Sequence, residues 1–252
     1  MELTMARLHS LERMLIGIVL AILTLLAWAY MAIGDSSGGM AVPMSAAKWN
    51  LHLLGLNAIM WTVMMIAMML PGAAPMIMTY TRVHQRRNTV NRAFAPTWLF
   101  LAGYLAVWTA FGLVAALAQW ILHQNALLSS AMGQLGPLLG GTLLVVAGLF
   151  QFSRLKEACL SQCQSPLTFL MTEWRDGAFG AFTMGARHGA FCAGCCWALM
   201  LLMFVGGVMS LVWMVGLALY FLAEKLVPWP RVFSHITGAL LTMTGLLVTL
   251  MG

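Results

Sequence analysis

The stretch "LHLLGLNAIMWTVMMIAMMLPGAAPMIMTY" runs from Leu51 to Tyr80 without one lysine, arginine, aspartate or glutamate. About 20 predominantly apolar residues are enough for a helix to cross the hydrocarbon core of a bilayer, so this run alone points to a membrane. The rest of the chain agrees: of 252 residues, 62% are hydrophobic and 8% charged, with a mean hydropathy of +0.89. Soluble domains carry about 25% charged residues. Nowhere does the sequence show the long polar and apolar alternation of a membrane barrel, and in lipid a helix satisfies its own backbone hydrogen bonds. The expected fold is therefore all-α, a polytopic helical membrane bundle occupying residues 1–252 as one integral membrane domain.

Hydropathy divides the chain into seven expected spans, at about 14–33, 51–79, 97–121, 135–152, 179–207, 210–227 and 233–251. Of the 13 lysines and arginines, all but Lys48 fall near the side that also carries the N-terminus. The positive-inside rule then selects an N-in, C-out orientation. The same bias accounts for the net charge of +6, because the basic residues sit in short loops beside the spans; no nucleic-acid site is expected. The first span resembles a signal peptide, but its apolar run exceeds the 7–15 residues of a signal core, which favours an uncleaved signal anchor. Pro71 and Pro75 should kink or break the second span near its inner end, with the freed carbonyls satisfied by neighbouring helices or water.

The residues able to carry chemistry concentrate in "RHGAFCAGCCW", Arg187 to Trp197, which holds three of the five cysteines. On a helix, His188, Cys192 and Cys195 stand at i, i+4 and i+7 and share one stripe, with Cys196 beside it. Met184 and Met203 extend that stripe, and Arg187 is a nearby counter-charge. Thiolate and thioether donors select soft ions, Cu(I) first, with Zn(II) as the alternative that imidazole also suits. Each thiol alone also fits the role of a small buried hydrophobe; it is the clustering that argues for ligation.

Three further sets follow. Cys159 and Cys163, in the inner loop "RLKEACLSQCQSPLTF", can face one ion if the segment is helical, or form a surface amphipathic turn; Pro166 would end that helix. Met60, Met64 and Met68 repeat every fourth residue in the second span, among 22 methionines in all. Such a row can pass Cu(I), although methionine is also a packing residue. His52 at the outer end of that span is a candidate for receiving an ion. Glu224 is a candidate cation or proton ligand, whereas Lys225 reads as an interfacial side chain that snorkels to headgroups.

"MWTVMMIAMMLPGAAPM" (60–76), "LKEACLSQCQSPLTFL" (155–170), "GARHGAFCAGCCWALMLLMFVGGVMSLVWM" (185–214) and "EKLVP" (224–228) together resemble a bacterial family of predicted metal-binding integral membrane proteins with a domain of unknown function. The resemblance runs from about Trp49 to the C-terminus. It implies a multi-pass inner-membrane protein with His188, Cys192, Cys195 and Cys196 as its metal site and Cys159 with Cys163 as a second shared element. The leading expectation is heavy-metal handling, by transport or by delivery to a membrane cuproenzyme, with a metallochaperone as a candidate partner. The chain has no nucleotide-binding loop of the Gly-x-x-x-x-Gly-Lys-Ser/Thr type, and no nucleophile, base and orienting residue at recognisable spacing. Two alternatives stand beside it: a thiol–disulfide redox protein using the Cys192-x-x-Cys195 pair, and an accessory subunit packing through its glycine pairs.

Overall fold

The computed structural model describes residues 2–37, 50–87, 94–128, 134–208 and 210–251. They form ten helices: α1 (Glu2–Ser37), α2 (Leu51–Arg87), α3 (Phe94–Gln124), α4 (Pro137–Phe150), α5 (Arg154–Gln164), α6 (Pro166–Glu173), α7 (Gly177–Met200), α8 (Met203–Gly206), α9 (Leu211–Leu226) and α10 (Pro230–Met251). Among the described residues the only extended pairing is an isolated bridge between Leu128 and Leu135. The outer-loop residues Met40, Met44 and Lys48, and Arg92 of the second loop, lie outside the described residues.

Among the described residues, five helical stretches are long and apolar enough to cross a membrane: Ser10–Gly34, Leu51–Arg87, Pro96–Gln124, Gly177–Gly206 and Pro230–Met251. Seven were expected. The stretch at 135–152 becomes the 14-residue α4, which bends by 66° into α5 and counts as a sixth span only if the two are taken together. The stretch at 210–227 becomes the 16-residue α9. At 1.5 Å per residue these helices measure roughly 21 and 24 Å, against a hydrocarbon core of about 30 Å. Hydropathy counts apolar residues but not the chain breaks that shorten them. Gly207, at φ +98°, turns the chain ahead of α9, Ser210 caps it by accepting from the Trp213 N–H, and Pro228 and Pro230 bracket its exit.

The prolines of α2 do not break it; the helix is continuous from Leu51 to Arg87. Pro71 removes the donor that would have bonded the carbonyl four residues earlier, at Ala67. That carbonyl is taken up by the indole N–H of Trp28 on α1, at 3.0 Å. Nearby, the Tyr104 hydroxyl of α3 donates to the carbonyl of Met69 at 3.1 Å. Interhelical donors thus hold the proline segment in place, and α2 becomes the central helix against which α1, α3 and α9 pack.

Two close crossings assemble the remainder. At the α3–α7 crossing, a Cβ on Gly103 would strike the Phe182 carbonyl and one on Gly185 the Phe100 carbonyl. The α4–α10 crossing is reciprocal: Gly141 lies against the Gly245 carbonyl and Gly148 against that of Gly238, and the reverse. Where lipid competes for apolar contact, such small-residue approaches let backbones pack at van der Waals distance. The outward faces stay apolar, with Val212, Phe179 and Leu250 at least 80% exposed.

Substituting Gly185 by valine should force α3 and α7 apart and cost about 1–3 kcal/mol or more. A thermal melt of the detergent-solubilised protein should fall by several degrees, whereas valine at Gly55, which has open space around it, should leave the melt nearly unchanged.

Candidate metal centre

Helix α7 runs unbroken from Gly177, with no re-entrant break in its first turns, and it presents the expected stripe inward. His188, Cys192, Cys195 and Cys196 are all at most 2% exposed. The His188 ring is walled by aromatic rings, with Tyr104 at 5.8 Å, Phe169 of α6 at 5.5 Å and Phe100 at 6.2 Å between centroids. Its Nδ1 is buried without a hydrogen-bond partner. An orphaned buried polar atom costs on the order of 1–3 kcal/mol, so this nitrogen is held where packing alone gives it no reward.

Cys192 is the hub. Its sulfur lies 3.2 Å from the Lys225 ammonium, which donates to it, and 3.4 Å from the Tyr104 hydroxyl. Its backbone carbonyl accepts the thiols of Cys195 at 3.1 Å and Cys196 at 3.0 Å. α7 supplies the sulfurs, α3 a hydroxyl and α9 a cation.

Cys159 and Cys163 are where the structure departs most from a loop at the inner surface. Their segment is helical, as the spacing required, and Ser153 caps it by accepting from the Lys156 N–H at 3.1 Å. The helix is folded inward. Lys156, Cys159, Leu160 and Cys163 form its buried face, and that face packs on α7. The Cys163 thiol lies near enough to those of Cys192 and Cys195 to interact with both, while the Cys159 sulfur lies against Gly194, 2.8 Å from where a Cβ would stand. Instead of an outlying exchange pair there is one cluster of five thiols, all free and all buried.

Lys225 also departs from expectation. It does not snorkel outward; its chain crosses the Gly72 position of α2, between the two prolines, with Nζ 2.9 Å from a Cβ built there, and ends at Cys192. Glu224, one residue earlier, faces another way. Its carboxylate takes the Lys156 ammonium at 2.7 Å with both side chains buried, the Ser234 hydroxyl at 2.7 Å and the Tyr220 hydroxyl at 3.0 Å. It is satisfied by this network and anchors α5 to α9 and α10. Arg187 points away from the thiols to an ion pair with Glu173.

Met60, Met64 and Met68 are buried at 4%, 0% and 3% exposure on the part of α2 that precedes Met69, the residue level with Tyr104 and Cys192. His52 is exposed at the opposite end of α2, about 25 Å from Met69 along the axis. Met184 accepts the Arg175 N–H at 3.4 Å, and Met203 lies beyond the turn that ends α7, in α8.

As the side chains stand, no three His, Cys, Asp or Glu groups among the described residues converge to hold a metal ion. Two thiols are turned back onto their own helix, and Lys225 stands beside the third. The donor chemistry nonetheless suits a soft monovalent ion, which needs few ligands, and rotation about χ1 would free Cys195 and Cys196 from the Cys192 carbonyl. Sequence reasoning missed Lys156, Lys225 and Tyr104 as parts of the site. Lys156 had a signal, standing three and seven residues before the paired cysteines, on the same helical face; Tyr104 had none.

Searches of curated proteins and of solved structures found no match. The profile of the PpoB2 family, described as copper chaperones, matches residues 58–248, a range that takes in both prolines of α2, all five cysteines, Glu224 and Lys225. The chain therefore belongs to the PpoB2 copper chaperone family.

Proposed function

We propose that this protein is a multi-pass protein of the bacterial inner membrane that binds Cu(I) in its five-cysteine cluster and passes it on, to the other face of the membrane or to a membrane cuproenzyme. The observation that carries the reading is that the buried face of α5, with Cys159 and Cys163, packs on the α7 segment that carries Cys192, Cys195 and Cys196, beside a buried imidazole whose Nδ1 is unpartnered. Membership of a copper chaperone family supports copper as the cargo.

In this reading His52 receives the ion, and the methionine row of α2 carries it inward as a series of weak thioether sites. Cys192 is the first strong ligand. The ion would displace the Lys225 ammonium and become the cationic partner of that sulfur while the lysine withdraws over Gly72, and each thiol that joins as a ligand would release its proton. Cys195, Cys163 and His188 Nδ1 then supply the remaining donors. Because Cys163 belongs to α5, movement of that short helix relative to α7 would open the cluster toward an acceptor such as a metallochaperone.

Metal content after anaerobic purification tests the core of this. Copper close to one per chain is expected, falling to background in the Cys192→Ser/Cys195→Ser/Cys163→Ser variant; copper unchanged in that variant would remove the assignment. A mixed disulfide trapped with a partner protein, together with metal-free chains, would favour thiol exchange instead.

His188→Phe separates ligation from packing. Removing the orphaned nitrogen should leave stability unchanged or raise it by about 1 kcal/mol, while weakening Cu(I) binding roughly tenfold in competition with a chromophoric chelator. Equal affinity in both proteins would return His188 to a packing role.

The Lys156–Glu224 pair should behave as a buried clamp. Either Lys156→Met or Glu224→Met alone leaves a charge uncompensated and should cost about 3–5 kcal/mol, whereas the double substitution should recover most of it. Copper binding should follow the same order, since α5 carries Cys163.

A further inference from the structure

At the end of α2 farthest from His52 a cavity of about 860 Å³ opens between α1, α2 and α6, lined by Arg13, Thr79, Arg82, Val83, Arg86 and Leu167 among others. Three of these are guanidinium groups, and among the described residues none has an ion-pair partner. The neighbouring carboxylate, Glu12, accepts the Gln85 amide at 2.7 Å. Thr79, Arg82, Val83 and Arg86 stand at i, i+3, i+4 and i+7 on α2, so two arginines are stacked one turn apart on one face. Like charges at that spacing destabilise a helix unless an anion lies between them.

Two independent features point to what that anion is. The first turn of α6 enters the cavity wall through Leu167, and Ser165 gives it no side-chain cap; unbonded N–H groups and the helix dipole there favour a negative ligand. Beside the basic centre the surface is apolar: Leu167 in the cavity wall is 60% exposed and Met14, next to Arg13 on α1, 54%. A free phosphate has no use for such an apron, but acyl chains do. Arg13 lies near the start of the Ser10–Gly34 stretch and Arg86 near the end of α2, which is headgroup depth, where basic pockets between helices bind anionic lipid heads.

We propose that this cavity binds the phosphate of an anionic phospholipid, held by Arg13, Arg82, Arg86 and the α6 N-terminus, with its acyl chains on the apolar surface of α1 and α6. The site is independent of copper, yet it adjoins the segment that positions the cluster. Pro166 and Leu167 line the cavity, Phe169 packs on His188, and Cys163 lies three residues before Pro166.

Native mass spectrometry of the full chain, delipidated in mild detergent and titrated with phosphatidylglycerol or phosphatidylcholine, tests the proposal. Phosphatidylglycerol should be retained in preference to phosphatidylcholine. Its retention should fall at least tenfold in Arg82→Gln/Arg86→Gln, given that each basic residue contributes a severalfold gain in binding to anionic surfaces, and should be intact in Arg154→Gln, an exposed arginine outside the cavity. Leu167→Glu, which puts a carboxylate in the cavity wall and keeps every arginine, should lose retention in the same way, so the proposal stands or falls even if the double variant folds poorly. Equal retention of the two lipids, or full retention by both variants, would overturn it. So would inorganic phosphate protecting the delipidated protein in a thermal melt, with the same arginine dependence, where phosphatidylglycerol gives no preference: the ligand would then be a free phosphate.

Discussion

A buried ion pair holds this protein's chemistry together. Lys156 and Glu224, 2.7 Å apart with both side chains out of solvent, are the price of bringing a polar, cysteine-bearing segment into an apolar core. Isolated, either charge would be intolerable in that setting. Paired, and with Ser234 and Tyr220 hydroxyls on the carboxylate, they pin α5 beneath α7. Without that anchor Cys159 and Cys163 would sit at a surface, and the cluster would be three thiols on one helix.

The two consecutive charges at the end of α9 divide the work by helical geometry. Neighbouring residues on a helix point about 100° apart, so Glu224 reaches the α5 network while Lys225 reaches Cys192. One short helix therefore couples the anchor of the α5 thiols to the cation that stands at Cys192 of α7. The proline segment of α2 takes part too: Gly72 leaves the room through which Lys225 passes, and the carbonyl freed by Pro71 is occupied by Trp28 from the far side. One neighbour takes the carbonyl that Pro71 frees, and another passes over the glycine beside it.

Much of the site was legible in the residues because helix periodicity is a local property. The stripe of His188, Cys192 and Cys195 follows from spacing alone, and so does the shared face of Cys159 and Cys163. What spacing could not show was that the two stripes face each other, or that Cys195 and Cys196 turn their thiols onto the Cys192 carbonyl. Lys225 was misread for the same reason. Near the end of an apolar helix, a long side chain has two routes to a polar partner, outward to headgroups or inward to a sulfur, and only the position of Gly72 on another helix makes the inward route open.

By itself the sequence determined that the chain is helical and apolar enough to cross a membrane several times, and that soft-ligand donors cluster on one helical stripe, because composition and a 3.6-residue period are read along the chain. The tertiary structure decided that two of the seven apolar stretches make helices of only 14 and 16 residues, that five cysteines form one cluster rather than two, and that three arginines from two helices share one cavity. Those outcomes depend on where backbones approach closely, at Gly103 and Gly185 and at the α4–α10 glycines. Such contacts join residues tens of positions apart, and no local pattern encodes their pairing.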